Sequence, residues 1–317
     1  MAYHLKAGET IPEGIKRIAS EELEAAADLL SRTNPRNRDH AIHEARKNIK
    51  KTRAVLKLVR RELDAIYKKE NRRLREVGRT LSQYRDAQAM IEIFDSLTRH
   101  YKNDLGTRTL GSIRQALQKR KREGERAGGI DRTLKSMAAA LHTAATGVKN
   151  WPLKKDGFAA IAPGVTETYR QGRQAMEVAR KSERPKDCHQ WRKRVKDHWY
   201  HIRLLESLWT ELMASYEKSL KNLETRLGDH HNLEVLHQAL KATPDFYGSR
   251  EDVDLSRDLI AKYQKELLKN ALSLGERVYA EKPRQFRKRM KGLWDAWQSQ
   301  PKNFKKIESR QRKQAAA

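Results

Sequence analysis

Residues 43–59, HEARKNIKKTRAVLKLV, recur at 189–205 as HQWRKRVKDHWYHIRLL, 146 positions later and without a gap. His43, Arg46, Lys47, Lys50 and Leu58 are matched by His189, Arg192, Lys193, Lys196 and Leu204. A repeat on this scale makes the chain two versions of one unit, so whatever packs one copy must pack the other.

Each copy has helical periodicity. Ala45, Ile49, Thr52, Leu56, Val59, Leu63 and Ile66 step by fours and threes, as do Trp191, Val195, His198, Ile202, Leu205, Trp209 and Leu212. Such spacing draws an apolar stripe along one side of a helix. It predicts a helix from about 43 to Ile66, and another from about 189 to Leu212. At about 100° per residue, His43, Arg46, Lys47, Lys50 and Lys57 fall on a different face, and so do His189, Arg192, Lys193, Lys196 and Arg203. The repeated residues therefore define a packing seam and a positive strip headed by a histidine.

Lysine and arginine on a polar helix face are most often merely solvated. Two features favour an anion-binding role here. Residues 43–61 contain eight Lys or Arg and one acid, Glu44. A solubility face usually mixes signs, because like charges one turn apart repel. The basic positions also recur, while those between them drift: Asn48 becomes Arg194, Lys51 becomes Asp197 and Arg53 becomes Trp199. Because the strip lies off the apolar stripe and alanine favours helix, replacing either basic triad by alanine is expected to leave the fold intact.

The whole chain is basic, with a formal net charge of +27 over 317 residues. That charge repels itself unless a polyanion is bound, so the expected partner is acidic: nucleic acid, an anionic membrane surface or a polymer of phosphate. Cys188 is the single cysteine, which excludes a disulfide framework and a cysteine-based zinc site and suits a reducing cytoplasm. It reads as an incidental buried thiol rather than a nucleophile beside His189. The start MAYHLKAGET lacks a signal-peptide pattern, and no apolar run is long enough to span a membrane.

Further periodic stretches cover Ile15–Leu30, Leu74–Leu97, Leu105–Arg126, Ile130–Val148, Val165–Ala179, Leu255–Ala280 and Pro283–Trp297. AGG at 127–129 is a breaker. NWPLKKDGF at 150–158, with Pro163-Gly164 just after it, reads as the connector between halves. More basic residues sit at helical spacing downstream. Arg72, Arg75 and Arg79 form one strip, with Lys218 and Lys221 matching the first two, and Arg287 and Lys291 lie on the last helix. No stretch alternates as a strand would. The expected fold class is all-α, with two bundles of about four helices related by an approximate two-fold. Their expected spans are 1–155 and 156–300, and the basic tail 301–317 is expected to fray.

These residues resemble the CHAD family, the conserved-histidine α-helical domain. The resemblance rests on H-x-x-R-K-x-x-K opening a long helix twice, and on L-x-x-x-R-D at Leu81, Arg85 and Asp86, with a weaker echo in LGDHHN at 227–232. It implies two four-helix bundles whose basic faces line a central groove or pore. It further implies binding of inorganic polyphosphate and association with polyphosphate granules. Many members sit beside a triphosphate-tunnel domain with the signature E-x-E-x-K. That signature is absent here, so the chain reads as a stand-alone CHAD protein. His231 and Asn232 replace the usual Arg-Asp pair, and Arg53 has no basic counterpart, so the second half is expected to bind somewhat differently.

The rival readings are weaker. A single-strand nucleic-acid binder interleaves stacking aromatics with its cations, but the first basic helix has no aromatic before Tyr67. RNA or DNA is therefore expected to bind less tightly than polyphosphate. A phosphoanhydride hydrolase would need carboxylates placed for Mg²⁺ or a glycine-rich phosphate loop. Asp86 and Asp229 are isolated and no such loop is present, so the chain is expected not to be an enzyme and to need no cofactor. His198, His201, His230, His231 and His237 raise the question of a metal. His198 lies on the apolar stripe and reads as a packed residue, and no metal is expected. His43 and His189 are assigned to the anion-binding face, where protonation would add charge.

Overall fold

A computed structural model describes residues 3–106, 110–126 and 129–300, apart from the side chains at 85, 86, 125 and 126. The described residues are all-α, and no strand occurs among them. In the first half, α1 (Ile11–Ser31) and α2 (Arg38–Leu58) lead into the long α3 (Arg60–His100). The short α4 (Lys102–Leu105), α5 (Gly111–Arg126) and α6 (Ile130–Gly147) follow. The second half runs α7 (Gly157–Ser182), α8 (Pro185–Leu204), α9 (Thr210–Ala242), the short α10 (Pro244–Tyr247), α11 (Arg250–Val278) and α12 (Pro283–Ser299).

Packing partners run in parallel through the two halves. Helix α1 packs on α2 and α6, and α2 on α3; α7 packs on α8, and α8 on α9. Helices α5 and α6 each pack on α3, and α11 packs along α9. Gly129, with φ +77°, immediately precedes α6, whereas α11 is one unbroken helix. In the second half α12 packs on α7, as α6 packs on α1 in the first.

Two hydrophobic cores form, and both draw on both halves. The larger includes Ile15, Ile49 and Leu74 as well as Tyr169, Trp191 and Leu223. The smaller lies at the far ends of α3 and α9, where Phe94, Leu97 and Ile113 meet Leu236, Tyr247 and Ile260. Helices α3 and α9 pass through both cores and pack on each other. Between the cores lies a polar waist, at 228–232 of α9.

Several sequence expectations need correction. The basic helices end early. Helix α2 stops at Leu58, and helical geometry breaks again at Asp64 inside α3. Helix α8 stops at Leu204, and a short 3-10 turn at Glu206–Leu208 precedes α9. Apolar periodicity runs through these breaks because residues on both sides face the same core, as Val59 and Leu63 do. Trp209, placed on the stripe by its spacing, is 53% exposed at the start of α9. Helix α1 begins four residues early because Thr10 and Glu13 form a capping box: the Glu13 amide donates to Thr10 Oγ1 and the Thr10 amide donates to Glu13 Oε2. The stretch 105–126 is interrupted at Gly106, where φ is +56°.

Pro163 and Gly164 are not part of the connector but lie inside α7. The connector proper, 151–156, is pinned by Glu62, whose carboxylate accepts the amides of Lys154 and Lys155, and by Asp156, which accepts the amide of Ile11 at 2.7 Å. Gly164 is there because α7 crosses the last turn of α2 at backbone contact: a Cβ at this position would lie 2.0 Å from the Leu58 carbonyl oxygen. Gly164→Ala should therefore lower the unfolding free energy by about 3 kcal/mol or more, since backbone cannot yield as a side chain does. Chemical denaturation with a wild-type midpoint would refute this close approach.

Candidate functional site

Helices α2 and α8, which carry the repeated motif, lie against each other. His201 is fully buried, and its Nε2–H donates to the Ala54 carbonyl at 2.8 Å. Because a carbonyl only accepts, this bond fixes the tautomer. Lys57 Nζ donates to Asp197 Oδ2 at 2.5 Å across the same crossing. The two basic strips thus meet on one face. Lys50 is electrostatically close to Lys196, Arg46 and Arg192, and Lys193 to Arg53 and Lys57. Burial first, and these neighbouring cations second, hold the Lys50 amine well below the usual lysine range.

Carboxylates from other helices enter this face. Glu224 of α9 accepts from Arg192 Nε at 3.3 Å and from Lys196 Nζ at 2.9 Å, and Lys221 lies 3.5 Å away. Burial by itself would raise the Glu224 carboxyl. Lys196 and Arg192 reverse that and hold it at about 2. Asp197 pairs with Arg194 as well as Lys57. Glu22 of α1 pairs with Lys51, and Glu217 of α9 with Arg203. Sequence reasoning missed Glu22, Glu217 and Glu224 because they lie far from the motif in the chain, whereas Asp197 stands inside it, in place of Lys51. The one local trace is Lys221, a single turn before Glu224.

At the polar waist the His189 ring stacks on His231 with centroids 3.8 Å apart. Burial, then Lys193 and Arg192, push His189 down to about 4; burial, then His189, push His231 down to about 3. His189 is consequently neutral at pH 7, without the charge expected from its place on the strip. Gly228 leaves room for Arg192, whose Nη2 would lie 3.1 Å from a Cβ at that position. LGDHHN thus serves as a seat for the first residues of α8. The side chains of Arg85 and Asp86, in the matching segment of α3, lie outside the described residues.

The remaining candidates are dispersed. His43 is exposed beside Glu44, which also pairs with Lys47 at 2.8 Å. Arg53 donates to Asn71 Oδ1; burial, and to a lesser degree exposed Arg75, lower its guanidinium from the usual arginine range. Arg72 pairs with Glu76, and Arg79 and Lys218 are exposed. Trp199, at the position equivalent to Arg53, is buried beneath Lys221, Arg203 and Lys196, at 4.7, 5.6 and 5.9 Å from its ring centroid. Arg287 and Lys291 are exposed on α12, which packs against α7 rather than joining the α2/α8 crossing; Lys291 pairs with Asp295.

His198 is a packed core residue, edge-on to Tyr169, Tyr216 and Phe286 and pushed down to about 3 by burial. Cys188 is buried, and its thiol is pushed up to about 11 by that burial, which makes it a poor nucleophile. Among the described residues, no three His, Cys, Asp or Glu side chains gather as a metal site would require, and no helix is long and apolar enough to cross a membrane.

The family model for the CHAD domain matches residues 20–241. Among solved structures, the chain is similar to the crystal structure of the CHAD domain from the plant Ricinus communis. The identity is 16% and the TM-score 0.60, over 86% of this chain and 95% of that one. No curated protein matches the sequence.

Proposed function

This chain belongs to the CHAD domain family, and on that premise we propose that it binds inorganic polyphosphate along the α2/α8 face without turning it over. The observation carrying this reading is the convergence of Arg46, Lys50, Arg192 and Lys196, supplied by both copies of the repeat. A phosphate polymer has about one negative charge per unit and no bases to read. It needs a track of cations and nothing else, and affinity follows from the charges neutralised and counterions released. Arginine supplies bidentate contacts and lysine point charge. The same reading makes the halves an approximate two-fold pair around a basic groove, with the protein in the cytoplasm on polyphosphate granules.

The nucleic-acid alternative is disfavoured by the burial of Trp199, the ring that stands where the first copy of the motif has Arg53. Trp199 is buried under three cations, so it offers no open surface for base stacking. Long-chain polyphosphate is expected to bind at least ~10-fold tighter than RNA or duplex DNA at about 150 mM salt. Competition of all three against the labelled protein checks this, and equal or tighter nucleic-acid binding would reverse the assignment.

A further inference from the structure

Glu224 is 3% exposed, and three cations from two helices converge on it: Arg192 and Lys196 from α8, and Lys221 from α9 itself. Lys50 of α2 feels the same carboxylate from across the crossing. Four cations therefore share one fixed negative charge. A carboxylate tethered at that point has a high effective concentration, so it competes permanently with any phosphate approaching those cations.

The repeat shows that this carboxylate is not required by the motif. Leu223 and Leu227 correspond to Val77 and Leu81, which places Glu224 opposite Gly78 of α3. A Cβ at Gly78 would meet only the Ile49 Cγ2 methyl, at 3.7 Å, an ordinary contact. Ile49 is one residue from Lys50 and one turn from Arg46. A Cβ is accommodated beside the first basic strip, and the chain places no carboxylate at that position.

We propose that Glu224 is a built-in counter-anion that sets the binding threshold of the second strip: phosphate engages Arg192, Lys196 and Lys221 by taking them from Glu224. The strip on α2, with glycine at the matching position, engages first, and a long chain then displaces Glu224 through phosphates already held nearby. This inference rests on the polyphosphate reading given above.

Reciprocal variants test it, with affinity for long polyphosphate measured over a salt series. Glu224→Gln should bind at least ~10-fold tighter, with a log–log salt slope steeper by roughly one or two contacts. Gly78→Glu should bind about 10-fold more weakly with a shallower slope. Unchanged affinity and slope in Glu224→Gln, together with a lowered melting temperature, would make Glu224 a structural ion pair only and overturn the proposal. Wild-type binding by Gly78→Glu would overturn it as well, and that variant decides alone if Glu224→Gln does not fold. Salt-dependent wild-type binding with both variants unchanged sinks the role of Glu224 alone. A wild-type protein that does not bind polyphosphate sinks this role and the polyphosphate reading together.

Discussion

Replacing Arg192 and Lys196 together by alanine is expected to cost about 3–5 kcal/mol of stability at pH 7, with the loss read directly from denaturant unfolding. The reason is Glu224. With both partners gone, a buried carboxylate is left with Lys221 and, across the crossing, Lys50, without the hydrogen bonds that offset its desolvation. This corrects the sequence-based expectation that alanine on the second basic strip would leave the fold undisturbed. The pH dependence has a definite sign. In the wild type the Glu224 carboxyl is held at about 2, below its ordinary 4.5, so it stabilises the fold above pH 4.5 and that contribution, about 3 kcal/mol, is lost as pH falls towards 2. In the double variant burial dominates and the carboxyl rises above its ordinary value, so the variant gains stability as acid neutralises it. The gap between the two proteins should therefore narrow on going from pH 7 to pH 4. Adding Glu224→Leu should recover most of the loss at pH 7. A double variant as stable as wild type would show that the Glu224 cluster is not a buried ion-pair network.

Replacing Arg46, Lys47 and Lys50 by alanine should act on binding instead of folding. Charge-assisted contacts to phosphate contribute about 1.5 kcal/mol or more each, so loss of three is expected to weaken polyphosphate binding by at least ~100-fold. The log–log salt slope should fall by roughly 2, at about 0.7–0.9 per lost contact. Helical content should be retained. Lys50 sits among Lys196, Arg46 and Arg192, so its removal relieves repulsion. Lys47 makes only a local pair with Glu44, one turn away on the same helix. Circular dichroism and titration together check both halves of the statement. Wild-type affinity in this variant would remove α2 from the binding face.

The sequence alone determined that the chain is helical and that it repeats, because apolar spacing and identical residues at a fixed offset are local, one-dimensional signals. It determined the packed role of His198 in the same way, from its place on the apolar stripe. The helix ends were not legible, since Val59 and Leu63 continue the period across a turn of the chain. Nor was the purpose of Gly164, which depends on the Leu58 carbonyl about a hundred residues away. Most of all, the charge balance of the site was decided by tertiary structure. Read along the chain, Arg192, Lys193 and Lys196 form a bare positive strip; in the fold, α9 brings Glu224 against two of them and α2 brings Lys50 against the same pair. Electrostatic energy depends on distance in space and on burial, and neither is written in the spacing of residues along one helix.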